Sequence, residues 1–307
     1  DLARVEAGRE KAVQRFDEFQ DGLSSAGRII VAGLSGVVIE SADMGQSWQR
    51  TVLRADDGLV PSLIAVAQCP DERVAILDFN RRLWIRTAAD QPWQAMAIPT
   101  QEDVLALTCD AANRLWVVGG FSLILRSSDG GETWEDFSTG EDAMLTSVSF
   151  VDAETGFIAG EFGTVLKSLD GGENWEAMTP VPNGLYVQSA LFVGPETGWI
   201  AGLNGLIYRT EDGGETWQEE PTPTQAPLYR LARAEGVMFA AGNYGTLLRN
   251  AGEGWRLVKR DGGSFGYIRA LVPLDQGRLL IGGGGMVDVI AANGVKVTSL
   301  VQAWESR

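Results

Sequence analysis

The sequence predicts an all-β fold: a seven-bladed β-propeller of four-stranded antiparallel blades. Three observations carry this. Ser127–Trp134 reads S-S-D-G-G-E-T-W and returns as S-L-D-G-G-E-N-W (168–175), T-E-D-G-G-E-T-W (210–217) and S-A-D-M-G-Q-S-W (41–48). With two worn copies, the closing tryptophans fall at 48, 93, 134, 175, 217 and 255, at intervals of 45, 41, 41, 42 and 38 residues. A repeat of about 40–50 residues is a propeller signature. A second element, A-G-x-x-G or a worn form of it, precedes each copy at Gly33/Gly36, Gly160/Gly163, Gly202/Gly205 and Gly242/Gly245.

The unit is clearest in the middle of the chain. L-T-S-V-S-F-V (145–151), G-F-I-A-G (156–160), T-V-L-K-S (164–168) and W-E-A-M (175–178) are short runs rich in β-branched and aromatic residues, parted by glycine or acidic turns. That pattern is a four-stranded meander. Units recur around 31–48, 75–93, 117–134, 158–175, 200–217, 240–255 and 281–297. The seventh keeps the strand pattern but lacks the Asp and Trp, as terminal repeats of a ring do. Closing the ring covers the sheet faces blade by blade.

Residues 1–19 differ, and are expected to form a helical or extended arm bracing the rim, with 20–307 as the propeller. Leu2, Val5, Ala12, Val13, Phe16 and Phe19 fall near one helical face. The chain begins at Asp1 without methionine, which suggests a mature terminus after removal of an export signal.

Composition removes several function classes. The net charge of −16 disfavours nonspecific binding to nucleic acid or anionic membranes. No apolar run approaches the ~18 residues of a membrane-spanning helix, so direct membrane insertion is not expected. There is no histidine, which withdraws the commonest general base and zinc ligand. No nucleophile elbow, phosphate loop, zinc spacing or flavin motif is present, so neither a metal nor a cofactor is expected. Cys69 and Cys109 stand one repeat apart. Two separate thiols are expected rather than a bridge, since innermost strands of adjacent blades are not hydrogen-bonded and bridging needs Cα atoms within about 7 Å.

The repeated aspartate has a structural explanation. Asp43, Asp129, Asp170 and Asp212 sit where the third strand reverses into the fourth; aspartate bonds its own downstream N–H groups, glycine supplies positive φ, and Trp48, Trp134, Trp175 and Trp217 open the outer strand with a large apolar surface. One carboxylate per turn is far short of the 6–8 oxygens of a calcium site. The spacing is that of the Asp-box, or BNR repeat, which it resembles as found in sialidases, sortilin-type receptors and some cellulases. There the motif lies on the blade periphery, away from catalysis.

The runs G-F-I-A-G-E-F-G-T-V-L-K-S-L-D-G-G-E-N-W and G-W-I-A-G-L-N-G-L-I-Y-R-T-E-D-G-G-E-T-W resemble the photosystem II assembly and stability factor family, over about residues 25–300. The resemblance implies one seven-bladed propeller without enzymatic activity, acting as a scaffold for membrane-protein assembly in the lumen or periplasm. Non-photosynthetic bacterial relatives imply a partner that is an inner-membrane protein or a resistance–nodulation–division type transporter. The photosynthetic members' arginine-rich binding face is matched only partly. Arg86, Arg126, Lys167, Arg209 and Arg249 recur before each turn motif, and regular recurrence reads as pairing between blades.

A partner-binding surface is expected on the face carrying the second-to-third turns and the inter-blade links. Its candidates are Phe121, Phe162 and Tyr244 in the turns, and Tyr186, Gln188, Tyr229, Arg230, Tyr267 and Arg269 at the entry to the innermost strands. Tyr and Arg dominate binding hot spots. The alternative is a sialidase-like glycoside hydrolase or glycan-binding propeller. It would draw on linker acids such as Asp56, Asp57, Glu102, Asp103, Glu141, Asp142 and Asp261, but the N-terminal arginine motif of sialidases is absent.

Overall fold

A computed structural model describes residues 11–260, 266–291, 293 and 295–300. Seven four-stranded antiparallel sheets, each in sequence order, span residues 19–52, 63–97, 104–136, 145–177, 187–219, 228–257 and 268–299, here blades 1 to 7. The fold class read from the repeats is the one observed.

Burial follows position within the blade. The second strands Leu115–Gly119, Gly156–Gly160 and Gly198–Gly202 are buried at every residue, because each is covered by a neighbouring blade on both faces. The outermost strands, such as Glu135–Asp136 and Glu176–Ala177, are exposed. Among the described residues the core divides into seven apolar clusters, one per seam: Trp116, Val118 and Ile158 join blades 3 and 4, and Phe19, Val31 and Val289 join blades 7 and 1.

The two faces differ in what they carry. On the upper face, the second-to-third turns of blades 1, 3 and 4 bond the link entering the next blade: Gly36 N–H to Pro61 O (2.7 Å), Ser122 N–H to Ala143 O (2.8 Å), Gly163 N–H to Leu185 O (2.8 Å). Gly163 shows why glycine is needed there: its φ is +71°, and a Cβ would stand 2.3 Å from the Val181 carbonyl oxygen. The aspartate turns occupy the lower face. Asp129 Oδ1 accepts from the Ser127 hydroxyl (2.8 Å) and Thr133 N–H (2.9 Å), Oδ2 accepts from the Thr133 hydroxyl (2.5 Å), and the Ser127 hydroxyl oxygen accepts from Gly131 N–H (2.7 Å). Asp43, Asp170 and Asp212 repeat this net with Ser41/Ser47, Ser168/Asn174 and Thr210/Thr216. Trp48 and Trp134 each donate from Nε1 to the turn glycine carbonyl, Trp217 donates instead to Thr179 O, and Trp175 packs into the seam of blades 3 and 4.

The expectation of two separate thiols is corrected: Cys69 and Cys109 form a disulfide, with Cα atoms 5.1 Å apart. Cys69 follows the innermost strand Leu63–Gln68 of blade 2, and Cys109 ends the innermost strand Val104–Cys109 of blade 3. These strands share no ladder, but they stand side by side around the axis. Equivalent positions of adjacent repeats therefore come within bridging distance without hydrogen-bonded pairing.

Of the arm expected over 1–19, residues 1–10 lie outside the described residues, Leu2 and Val5 among them. Residues 11–18 run as bends and turns, and Phe19 opens the first strand, Phe19–Ser25. Val13 enters the seam of blades 7 and 1. Glu18 pairs with Gly284 of blade 7, and Asp17 forms a two-pronged ion pair with Arg50 of blade 1 (2.7 and 2.8 Å). All four strands of blade 7 come from the C-terminal part of the chain. Closure therefore rests on these contacts and on seam packing rather than on an exchanged strand.

Candidate functional site

All seven innermost strands open with a fully buried apolar residue: Phe19, Leu63, Val104, Leu145, Val187, Leu228 and Ile268. Each is followed by a break in register with the second strand, so that one residue per blade is left unpaired. A β-bulge of this kind re-aims a side chain. The seven extra residues are Gln20, Ile64, Leu105, Thr146, Gln188, Tyr229 and Arg269, and all seven line one cavity of about 470 Å³ on the propeller axis. Blades 4 to 7 and blade 1 contribute polar or amphipathic groups to this rim; blades 2 and 3 contribute Ile64 and Leu105.

Five of the sequence candidates meet here: Tyr186, Gln188, Tyr229, Arg230 and Arg269 all line the cavity. Arg230 Nη2 lies 2.7 Å from Asp21 Oδ1, reaching past blade 7 to blade 1, and its Nε donates to the Arg269 carbonyl oxygen (3.3 Å). The other Asp21 oxygen accepts from Val66 N–H of blade 2 (2.9 Å). The Arg269 guanidinium sits 4.3 Å from the centroid of the Tyr229 ring. Burial pulls Arg269 below the ordinary guanidinium range, with the charge of Arg230 acting in the same direction. Burial also raises the Tyr186 phenol, helped by Glu161, and its hydroxyl points at Met144 Sδ (3.4 Å).

Tyr267 stands apart from the cavity wall. Its hydroxyl accepts from Gln20 Nε2 (2.7 Å) and donates to Glu18 Oε2 (3.2 Å), and burial first, then Glu18, pushes it up to about 12. Phe121, Phe162 and Tyr244 are not in the cavity either. They stand on the turn tips of blades 3, 4 and 6, exposed, with φ of 51°, 58° and 54°. Bulky residues rarely adopt that left-handed backbone region.

Gln20, Asp21, Thr146 and Ser189 are the site residues that sequence reading missed. The signal was present: aligning units on the buried apolar residue before each bulge points to Gln20 and Thr146 directly. Asp21 and Ser189 occupy the next position, where each caps a backbone N–H of the following blade, Ser189 accepting from Leu231 N–H at 3.1 Å.

The arrangement offers cations, amide and hydroxyl donors and aromatic faces, in a cavity of the size of ligand pockets. Among the described residues Asp21 is the one carboxylate in its wall, and both its oxygens are engaged. Hydrolysis of a glycoside by paired carboxylates would need a second acid about 5–9.5 Å away. Among the described residues no group of three or more His, Cys, Asp or Glu could hold a metal ion. Nor is any helix long and apolar enough to cross a membrane.

Comparison with known proteins agrees with the resemblance read from the repeats. Residues 85–185, about a third of the chain, match the family model described as photosynthesis system II assembly factor YCF48. A search of curated proteins finds no match. Among solved structures, YCF48 bound to a D1 peptide superposes with a TM-score of 0.73 at 15% identity, covering 91% of this chain and 93% of that one. YCF48 from Cyanidioschyzon merolae gives 0.58 at 17% identity, over 72% and 79%. A streptogramin B lyase gives 0.77 at 10% identity, over 91% and 95%. At these identities the structural likeness establishes the propeller fold alone.

Proposed function

We propose that this chain is a non-catalytic binding propeller that holds a partner polypeptide on its upper face, outside the cytoplasm. The partner proposed is a membrane protein, of the inner membrane or of a resistance–nodulation–division type transporter. The observation that carries the reading is the concentration on one face of an arginine- and tyrosine-lined axial cavity and three exposed aromatic turn tips. Aromatic and arginine side chains are what protein interfaces favour. Backbone strain held at exposed aromatics fits a surface kept for contact rather than for folding. A YCF48 structure holding a D1 peptide gives a precedent for peptide binding on this fold. The Cys69–Cys109 bridge supports an oxidising compartment.

The test is capture from detergent-solubilised membranes of the source cell. Wild-type chain is expected to retain one membrane protein at near-stoichiometric yield. The triple variant Phe121→Ala, Phe162→Ala, Tyr244→Ala should lose it at least ten-fold, while Leu169→Ala, exposed on the lower face, should keep it. Equal capture by all three proteins would overturn the upper-face assignment. Cleavage of a fluorogenic sialoside, or saturable binding on a glycan array, would favour the carbohydrate reading instead.

A further inference from the structure

We propose that the axial cavity is a receptor for the free carboxylate at the end of a polypeptide, with Arg269 as the receiving cation and Ile64 and Leu105 as the seat of an apolar terminal side chain. The inference rests on the protein-binding reading and adds the chemistry of what enters. Its first support is an imbalance of charge. Among the described residues the wall holds two arginines and one carboxylate, and Asp21 is already spent on Arg230 and on Val66 N–H. Among the described residues the Arg269 guanidinium makes no ion pair or hydrogen bond; its contact is the face of Tyr229. A half-buried guanidinium that faces the cavity with no acid beside it among the described residues is open to an anionic partner, and a cavity wall strengthens such a pairing relative to open water. An incoming carboxylate supplies that partner and matches the fork of a guanidinium.

The second support is shape. The rim is made of one bulge residue from each of seven strands, so the wall closes on every side of the axis. A chain can enter end-on, whereas a loop must bring two strands abreast, about 4.8 Å apart before side chains are counted. The third is the division of the rim. Arg269, Tyr229 and Gln188 are consecutive around the ring, and the Gln188 amide makes no side-chain hydrogen bond among the described residues, so it too is available to the carboxylate. Ile64 and Leu105 come from blades 2 and 3, on the other side of the axis, where an apolar side chain is accommodated.

The experiment is an NMR titration of the intact chain, following the Arg side-chain Nε–H signals, with three probes. These are acetyl-Ala-Ala-Leu with a free carboxylate, the same peptide amidated, and amidated acetyl-Ala-Asp-Leu. The expected result is a saturable shift of the Arg269 signal, assigned by its loss in Arg269→Gln, with the free-carboxylate peptide binding at least ten-fold more tightly than either amide. Arg269→Lys should retain part of the affinity, and Ile64→Ser should weaken the Leu-ended peptide more than one ending in Gly. No shift in the wild-type chain, or equal shifts with the neutral amide, would overturn the carboxylate site. Equal binding of the amidated Asp peptide would overturn its terminal character. If these titrations fail while membrane capture still depends on Phe121, Phe162 and Tyr244, the carboxylate site falls and the scaffold reading stands. If the titrations succeed and capture is indifferent to the upper face, the scaffold reading falls instead.

Discussion

Four aspartates on the lower face carry the same hydrogen-bond net and therefore the same acid chemistry. Donation by the side chains of Ser47, Thr133, Asn174 and Thr216, then by backbone N–H groups, holds Asp43, Asp129, Asp170 and Asp212 down at about 2. A carboxyl whose folded pKa is depressed stabilises the fold above its unfolded value and loses that contribution as pH falls through the folded one. The window here runs from about 4 down to about 2. The melting temperature of the wild-type chain should fall across that interval, and a quadruple Asp→Asn variant should fall less. An unchanged pH profile in that variant would show that other carboxylates govern acid unfolding. Residues of this kind are legible in sequence, because each donor lies within four positions of the acceptor. Asp21 is not, because its partners Val66 and Arg230 are supplied by other blades, tens to hundreds of residues away.

At the scale of the element, the blade is a local object and the seam is not. Turns and strand runs define each meander, while the ties between blades depend on how neighbours are placed. Arg86 forms a two-pronged pair with Glu40 of the preceding blade, and Arg126 bridges Glu135 of its own blade and Glu173 of the next. The disulfide is the covalent form of such a tie. Closing a loop across a sequence separation of 40 residues corresponds to about 4 kcal/mol of unfolded-state entropy at 25 °C. Reduction, or the double variant Cys69→Ser, Cys109→Ser, should lower the unfolding free energy by roughly 2–4 kcal/mol in urea titrations. A loss below about 0.5 kcal/mol would mean that seam packing alone holds blades 2 and 3 together. Reasoning from strand pairing pointed away from this bridge, since pairing patterns say nothing about the distance between edges that do not pair.

For the whole molecule, the decisive feature is that the ring closes without exchanging a strand. Residues 11–18 cross from blade 7 to blade 1, with Val13 in the seam and Asp17 held by Arg50 in a pair that is mostly buried. Removing one partner of a buried pair leaves an uncompensated charge and typically costs about 3–5 kcal/mol. Asp17→Ala and Arg50→Ala should each reduce stability by roughly that amount, and the double variant by much less than the sum. Additive losses in a double-mutant cycle would remove the pair from the closure. Above this junction, Arg230 and Asp21 make a second tie across blade 7, and it is this tie that leaves Arg269 without an acid.

The sequence by itself determined the propeller, the number of its blades, the aspartate turns and the face on which tyrosines and arginines gather. Each of these is written in a period of about 40 residues or in spacings of a few, and local sterics and hydrogen bonding suffice to read them. Only the tertiary structure decided that five of the nine candidate contacts meet in one axial cavity while Phe121, Phe162, Tyr244 and Tyr267 stand away from it. The register break that turns one residue per blade inward, the disulfide and the Arg230–Asp21 tie belong to the same level. They depend on seven innermost strands being brought around one axis, and no local pattern specifies the distances between groups that different blades contribute.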